Sequence, residues 1–299
     1  MLAQVPNQDQ RGPASACTLV AAGSLEIGAH RPQEASQVAG LVPARTRVFV
    51  THMPRHRLIE TLPTLAALRK AGLEPVPHLA ARRIESSAEL EAFLDAAVHD
   101  GGVRRVLVIG GDLPTAAGPY PDGAALIRSR LFARAGLCEV ALPGYPEGHP
   151  RIGPAELERA LREKLALLEG QGLDASIITQ FSFESGRIVE YCTELARAAP
   201  RIQIHIGLAG PTNPARLLRF AQLCGVSASL RALGGLGLGA LHLAHTDPSA
   251  QLAAIARHRD AQVNSNIAGI HLFTFGGAVK AAEWMHQRLN RFREQSAAL

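Results

Sequence analysis

Long hydrophobic runs are missing from this chain. Nowhere in its 299 residues is there an uncharged apolar stretch of the roughly 18–20 residues that a membrane-spanning helix requires. The opening segment, MLAQVPNQDQRGPASA, lacks the charged-then-apolar order of a secretion signal, so a cytoplasmic protein with no membrane partner is expected. Cysteine is scarce. Cys17, Cys138, Cys192 and Cys224 are far apart and form no CxxC pair, which argues against a disulfide frame or a zinc ribbon and for reduced thiols. Aromatics make up only 4% of residues. The net charge of +5 is spread over scattered arginines (Arg55, Arg82, Arg83, Arg104, Arg105, Arg162, Arg216) with few rings between them. A patch for an anionic small molecule suits this pattern better than a nucleic-acid face. GxSxG, GxxxxGK[ST] and HExxH are absent, and no GxGxxG opens a helix; GGLGLG at 234–239 follows no clear strand. Nucleophilic hydrolysis and P-loop phosphoryl transfer fall away.

What the chain does have is alternation. Short apolar runs at 17–27, 47–52, 74–81, 105–111, 138–145, 175–181, 202–209 and 269–275 read as strands. Segments of helical period lie between them, at 57–72, 87–100, 122–136, 154–170, 184–198, 214–225, 227–260 and 277–295. Continuous apolar strands imply burial on both faces, hence a parallel sheet under helices. Eight strand–helix units predict a single-domain α/β fold, the (β/α)8 TIM barrel, with extra helices before the last strand; an open doubly wound sheet is the alternative. Residues 1–16 are expected to form a flexible arm and 17–299 the barrel.

Barrel enzymes place their chemistry where strands end. The strand ends here carry Glu26, Thr51, His78, Asp112, Tyr145, Gln180 and the turn at 207–210; the strand starts show no comparable set. Glu26, between Leu25 and Ile27, is a proton donor or one half of an ion pair with a neighbour such as Arg31. Asp112 follows Gly110 and Gly111. It is a turn or helix-cap residue, or it addresses a flat ligand for which the glycines clear room. Tyr145 and His149 share a Gly/Pro-rich loop. His149 with Glu147 supplies too few ligands for a metal, so no metal is expected. Gln180 offers a donor and an acceptor to a heterocycle edge. Phe181, Phe183 and Phe220 read as core or as stacking platforms.

In order and spacing, PHLA (77–80), GDLP (111–114), YPEGHP (145–150), TQFSFE (179–184), GLAGPTN (207–213) and HLFTF (271–275) resemble the methylenetetrahydrofolate reductase family, in its bacterial-type catalytic domain, as a divergent member. The resemblance runs from about residue 24 to 290. It implies an enzyme that interconverts 5,10-methylenetetrahydrofolate and 5-methyltetrahydrofolate by hydride transfer through FAD N5, with NAD(P)H as electron partner. It implies catalytic roles for Glu26 (general acid) and Asp112, and substrate contacts for Gln180, Phe220, Thr51 and Phe181. Cofactor contacts would come from Thr51, His78, Gly110, Gly111, Asp112, Tyr145, His149 and Lys164. The partners implied are tetrahydrofolate derivatives, with a homo-oligomer left open. Gly110 stands where relatives carry an arginine, and Arg82 and Arg83 are candidates to supply the substitute charge. That departure motivates the alternative function, a same-fold methyltetrahydrofolate-binding demethylase or methyl-transfer protein that uses no flavin.

Overall fold

The computed structural model describes residues 8–52, 56–212, 217, 220, 247–262 and 265–297. Eight parallel strands close in sequence order into a barrel: β1 Ser24–Ile27, β2 Arg47–Val50, β3 Glu74–Ala80, β4 Arg105–Ile109, β5 Glu139–Gly144, β6 Asp174–Thr179, β7 Gln203–Ala209 and β8 Ile267–Phe273. β8 returns to β1 through the pairs Ser24↔His271 and Leu25↔Leu272. The described helices are α1 Gln8–Ala21, α2 Ala35–Ala39, α3 Leu62–Lys70, α4 Ser87–His99, α5 Gly123–Arg128, α6 Leu131–Arg134, α7 Pro154–Glu169, α8 Ser185–Ala198, α9 Ser249–Ala261 and α10 Ala278–Ala297. The expected (β/α)8 fold is the observed one.

Each strand keeps one face for the helices and one for the barrel interior, which is why the runs read as continuously apolar. Val48, Val50, Leu79, Val106, Val108, Val140 and Leu142 belong to the core between barrel and helices. Phe49, Val76, Leu107, Ala141 and Ile178 form a separate interior layer with Ile109 packed on it. The β3–β4 ladder begins only at His78↔Leu107, beyond Pro75 and Pro77, which have no N–H to give a ladder.

Four local expectations change. The strand expected from residue 17 gives way to α1, which runs from Gln8 with Leu19 and Val20 fully buried, so the first strand starts only at Ser24; residues 1–7 of the expected arm lie outside the described residues. The helix expected over 122–136 is two short ones, broken at Arg130, which sits in the left-handed region at φ 62°. Of the helices expected over 214–225 and 227–260, only residues 217 and 220, both helical, and the last part, as α9, are described. Cys224 and the GGLGLG run lie outside the described residues.

The fourth change concerns the strand starts, which do carry polar groups. Glu139 Oε1 accepts from Ser176 Oγ at 2.6 Å and from Arg47 Nη1 at 3.4 Å, and its Oε2 accepts from Arg105 Nε at 2.7 Å. Arg105 also pairs with Glu74. This floor closes the barrel bottom with two guanidinium groups against two carboxylates, each partner meeting part of the other's desolvation cost. Burial pushes the Glu139 carboxyl up, but Arg47, the Ser176 hydroxyl and Arg105 together hold it below the ordinary glutamate value. The strand ends are thereby left as the open end.

Candidate active site

Glu26 lies on β1 opposite Phe49 of β2, its side chain only 14% exposed. Its carboxylate stands 3.9 Å from Nε2 of His271 on β8, whose Nδ1 is 2.9 Å from Ser24 Oγ. A second buried imidazole, His78 on β3, completes the surroundings. Burial holds its pKa down at about 4, against the opposing charge of Glu26. The Phe49 ring meets both imidazoles edge-on, with centroids 4.7 Å from His271 and 5.9 Å from His78. Nε2 of His78 and Nε2 of His271 are buried without a hydrogen-bond partner. Such groups cost free energy unless a ligand or ordered water meets them. The carboxylate of Glu26 is therefore not the neighbour of Arg31, which pairs with Glu34 instead.

Asp112 follows β4 on the turn that begins at Gly110 and Gly111. Gly111 needs its glycine, at φ +88°, whereas a methyl group on Gly110 would meet no atom within 4 Å. The helix-cap alternative falls away: the cap of α5 is Asp122, whose Oδ1 accepts from Ala125 N at 2.8 Å. Asp112 is instead paired with Arg83, from the short helical turn after β3. Partial burial raises its carboxyl, but the Arg83 hydrogen bond and charge, with Arg151 beyond, bring it below the ordinary aspartate value. Arg82 serves structure. Its Nε donates to the Pro121 carbonyl at 2.7 Å and its Nη1 to that of Leu113 at 3.1 Å, while its own N–H donates to the Gly110 carbonyl.

Around these two acids the other expected residues fall into three groups. Thr51 stands at the β2 end, its N–H donating to the Ile27 carbonyl at 3.2 Å. Gln180 follows β6, and its Oε1 accepts from Phe181 N at 3.1 Å, so the acceptor half of its amide is engaged locally. Tyr145 and His149 face each other edge-on at 5.2 Å beyond β5, and His149 Nδ1 accepts from Arg151 N. Partial burial and then the Arg151 charge lower the His149 pKa.

The second group is aromatic. Phe181 is 1% exposed, in edge contact with Phe183, Phe273 and Phe275. It belongs to the core reading. Phe220 is half-buried, packed on that cluster and tilted against Phe275 at 5.1 Å. The third group is Lys164 alone. It packs on α7 beside Gly123 at the start of α5, where burial lowers its pKa against the opposing charges of Asp122 and Glu163. Phe49, Arg151 and His271 escaped the residue-by-residue reading. His271 had two sequence signals, a histidine inside an apolar strand and its place at the head of the HLFTF motif.

Comparison with known proteins decides the family. Residues 50–276 match methylenetetrahydrofolate reductase, most of the chain. The chain belongs to the methylenetetrahydrofolate reductase family. A folate-linked oxidoreductase is thus its coarse function. Among solved structures, the chain is similar to a mutant tryptophan synthase α-subunit from Pyrococcus furiosus, with 11% identity and a TM-score of 0.51 over 92% of this chain and 98% of that one. It is also similar to dihydropteroate synthase from Thermus thermophilus in complex with 6HMPPP, with 13% identity and a TM-score of 0.50 over 92% of both chains. At such identities the likeness speaks for the barrel alone. Among the described residues, no helix is long and apolar enough to cross a membrane.

Proposed function

We propose that this methylenetetrahydrofolate reductase family member interconverts 5,10-methylenetetrahydrofolate and 5-methyltetrahydrofolate, with FAD as hydride carrier and NAD(P)H as electron partner. One observation supports the reading: a nearly buried acid, Glu26, shares the strand-end side of the barrel with a glycine turn and a solvent-facing Asp112. The residues fit a flavin. Gly110 leaves space for a flat ring, His78 offers an unpartnered buried nitrogen, and Arg83 and Arg151 bring positive charge to the strand-end loops. When bound, FAD supplies a two-electron hydride carrier at N5.

The protein's own part is positioning and proton transfer. Reducing the methylene carbon breaks its bond to N10, and N10 must gain a proton as hydride reaches the carbon. Glu26, nearly buried beside His271, would give that proton and take it back in the reverse direction. Asp112 receives both Arg83 hydrogen bonds on Oδ1, which leaves Oδ2 to orient a donor edge of the pterin or flavin. Thr51, Gln180 and Phe220 would contact the folate, and Tyr145 and His149 the cofactor arm.

Gly110, in place of the arginine of relatives, favours a second reading: methyltetrahydrofolate binding and methyl transfer without flavin. The absorbance spectrum of the purified protein, with and without added FAD, tests both. Flavin bands bleached by 5-methyltetrahydrofolate support the oxidoreductase. Folate binding and methyl transfer with no flavin uptake support the alternative, and a protein that takes neither FAD nor folate overturns both.

A further inference from the structure

Outside the acid-lined interior, two loops bring three metal-binding side chains together. His30 follows β1, His56 follows β2, and Glu60 lies on the helical turn Leu58–Thr61. His30 Nε2 and His56 Nδ1 are 2.9 Å apart, His56 Nδ1 and Glu60 Oε2 are 2.9 Å apart, and His30 Nε2 and Glu60 Oε2 are 3.5 Å apart. We propose that His30, His56 and Glu60 bind a divalent transition cation of the zinc class, clipping the loops after β1 and β2 together at the open end of the barrel.

Hydrogen-bond arithmetic is the first argument. An imidazole nitrogen has either one proton or one lone pair. His56 Nδ1 faces both another imidazole nitrogen and a carboxylate oxygen at 2.9 Å. If it donates to the carboxylate, it cannot accept from His30. If it accepts from His30, its lone pair meets an anionic oxygen. A shared cation satisfies all three lone pairs at once. The second argument is metric: an ion about 2.1 Å from each donor atom, the usual Zn–N and Zn–O length, would stand about 1 Å out of the plane of the three. Two imidazoles and one carboxylate are a borderline donor set, suited to zinc and its neighbours rather than to calcium or magnesium.

The ligands are also held from behind. Glu60 Oε1 accepts from Arg57 N at 2.9 Å, which turns Oε2 to the imidazoles. The His56 carbonyl contacts His52 Nε2 at 3.3 Å, and the carbonyl of Ala29, next to His30, accepts from buried Thr64 Oγ1 at 2.6 Å. Such supporting contacts orient ligands in built metal sites. All three side chains reach solvent, which gives an ion a way in and leaves coordination positions for water or an anionic oxygen. The histidines stand twenty-six positions apart, a spacing that matches no linear motif, and the sequence reading weighed only His149 with Glu147 as ligands.

The test is Zn2+ binding by the full chain, stripped with chelator and titrated with zinc chloride in a calorimeter, with Co2+ absorbance as a second readout. One ion per chain is expected, with visible cobalt bands that zinc displaces. Glu60→Gln and His56→Ala should each weaken binding tenfold or more. Their circular dichroism and thermal midpoints in chelator should match the parent, because these side chains are exposed. Replacing His258, on α9, should leave binding unchanged. Absence of one-to-one binding, or binding that survives His30→Ala with His56→Ala, overturns the proposal. Neither result bears on flavin or folate chemistry.

Discussion

Arg83 aims Nε and Nη2 at a single oxygen of Asp112, Oδ1, so an almost buried guanidinium is tied to a carboxylate that is 60% exposed. An arginine that leaves β3 thus brings positive charge to a turn where Gly110 has none. In folding terms the pair is weak, because one partner faces water; exposed ion pairs are worth about 0–1 kcal/mol. A double-mutant cycle on Arg83→Ala and Asp112→Asn, read by chemical denaturation, should give a coupling of that size. Affinity for FAD or folate should fall tenfold or more in both single variants. A coupling above about 2 kcal/mol with unchanged ligand affinity would make the pair purely structural.

Glu26→Gln keeps the shape of the side chain and removes its proton chemistry. Turnover of 5,10-methylenetetrahydrofolate should drop by about 10²–10⁴-fold, the usual worth of a general acid, with the thermal midpoint little changed. Stopped-flow flavin oxidation by the substrate is the direct measurement. A variant as fast as the parent would remove Glu26 from the mechanism.

Two buried histidines make stability fall in mild acid. His78 and His205 are each held at about 4 chiefly by burial, His205 also by the Arg47 charge; both start from an ordinary 6.5. Their folded values are depressed, so the folded state keeps them neutral while the unfolded chain protonates. Stability is intact above about pH 6.5 and drains away between 6.5 and 4, by at most about 3 kcal/mol per histidine. Urea denaturation across that range should show it, and His205→Gln should flatten the slope by about one proton. A parent whose stability is flat between pH 6.5 and 4 would contradict this.

Two glycines, Gly207 inside β7 and Gly110 just past β4, should respond in opposite ways to an added methyl group. At Gly207 it would meet the backbone carbonyl of Thr179 and, at 2.9 Å, the backbone nitrogen of Phe181. Gly207→Ala should cost about 1–3 kcal/mol. At Gly110 it meets nothing within 4 Å, so Gly110→Ala should leave the thermal midpoint of the ligand-free protein unchanged. Weaker flavin or folate binding in that variant would place the ligand over this position. Differential scanning fluorimetry with and without ligand separates the two effects.

Periodicity and composition by themselves determined the barrel. Eight apolar runs, each followed by a helical segment, are local signals, and burial on both faces of every strand leaves few other ways to pack them. Glu26, Thr51, His78, Asp112 and Gln180 were legible as strand-end polar groups for the same reason. Partnership was not legible, because it depends on contacts across the closed sheet. Only the tertiary structure put His271 of β8 beside Glu26 of β1 and gave Asp112 to Arg83 and the helix cap to Asp122. The charged floor from Arg47 to Glu139 was hidden similarly: its residues stand at the starts of four strands and become one network only when the barrel closes. The His30–His56–Glu60 cluster follows the same rule, since two loops far apart in sequence meet only because β1 and β2 are neighbours.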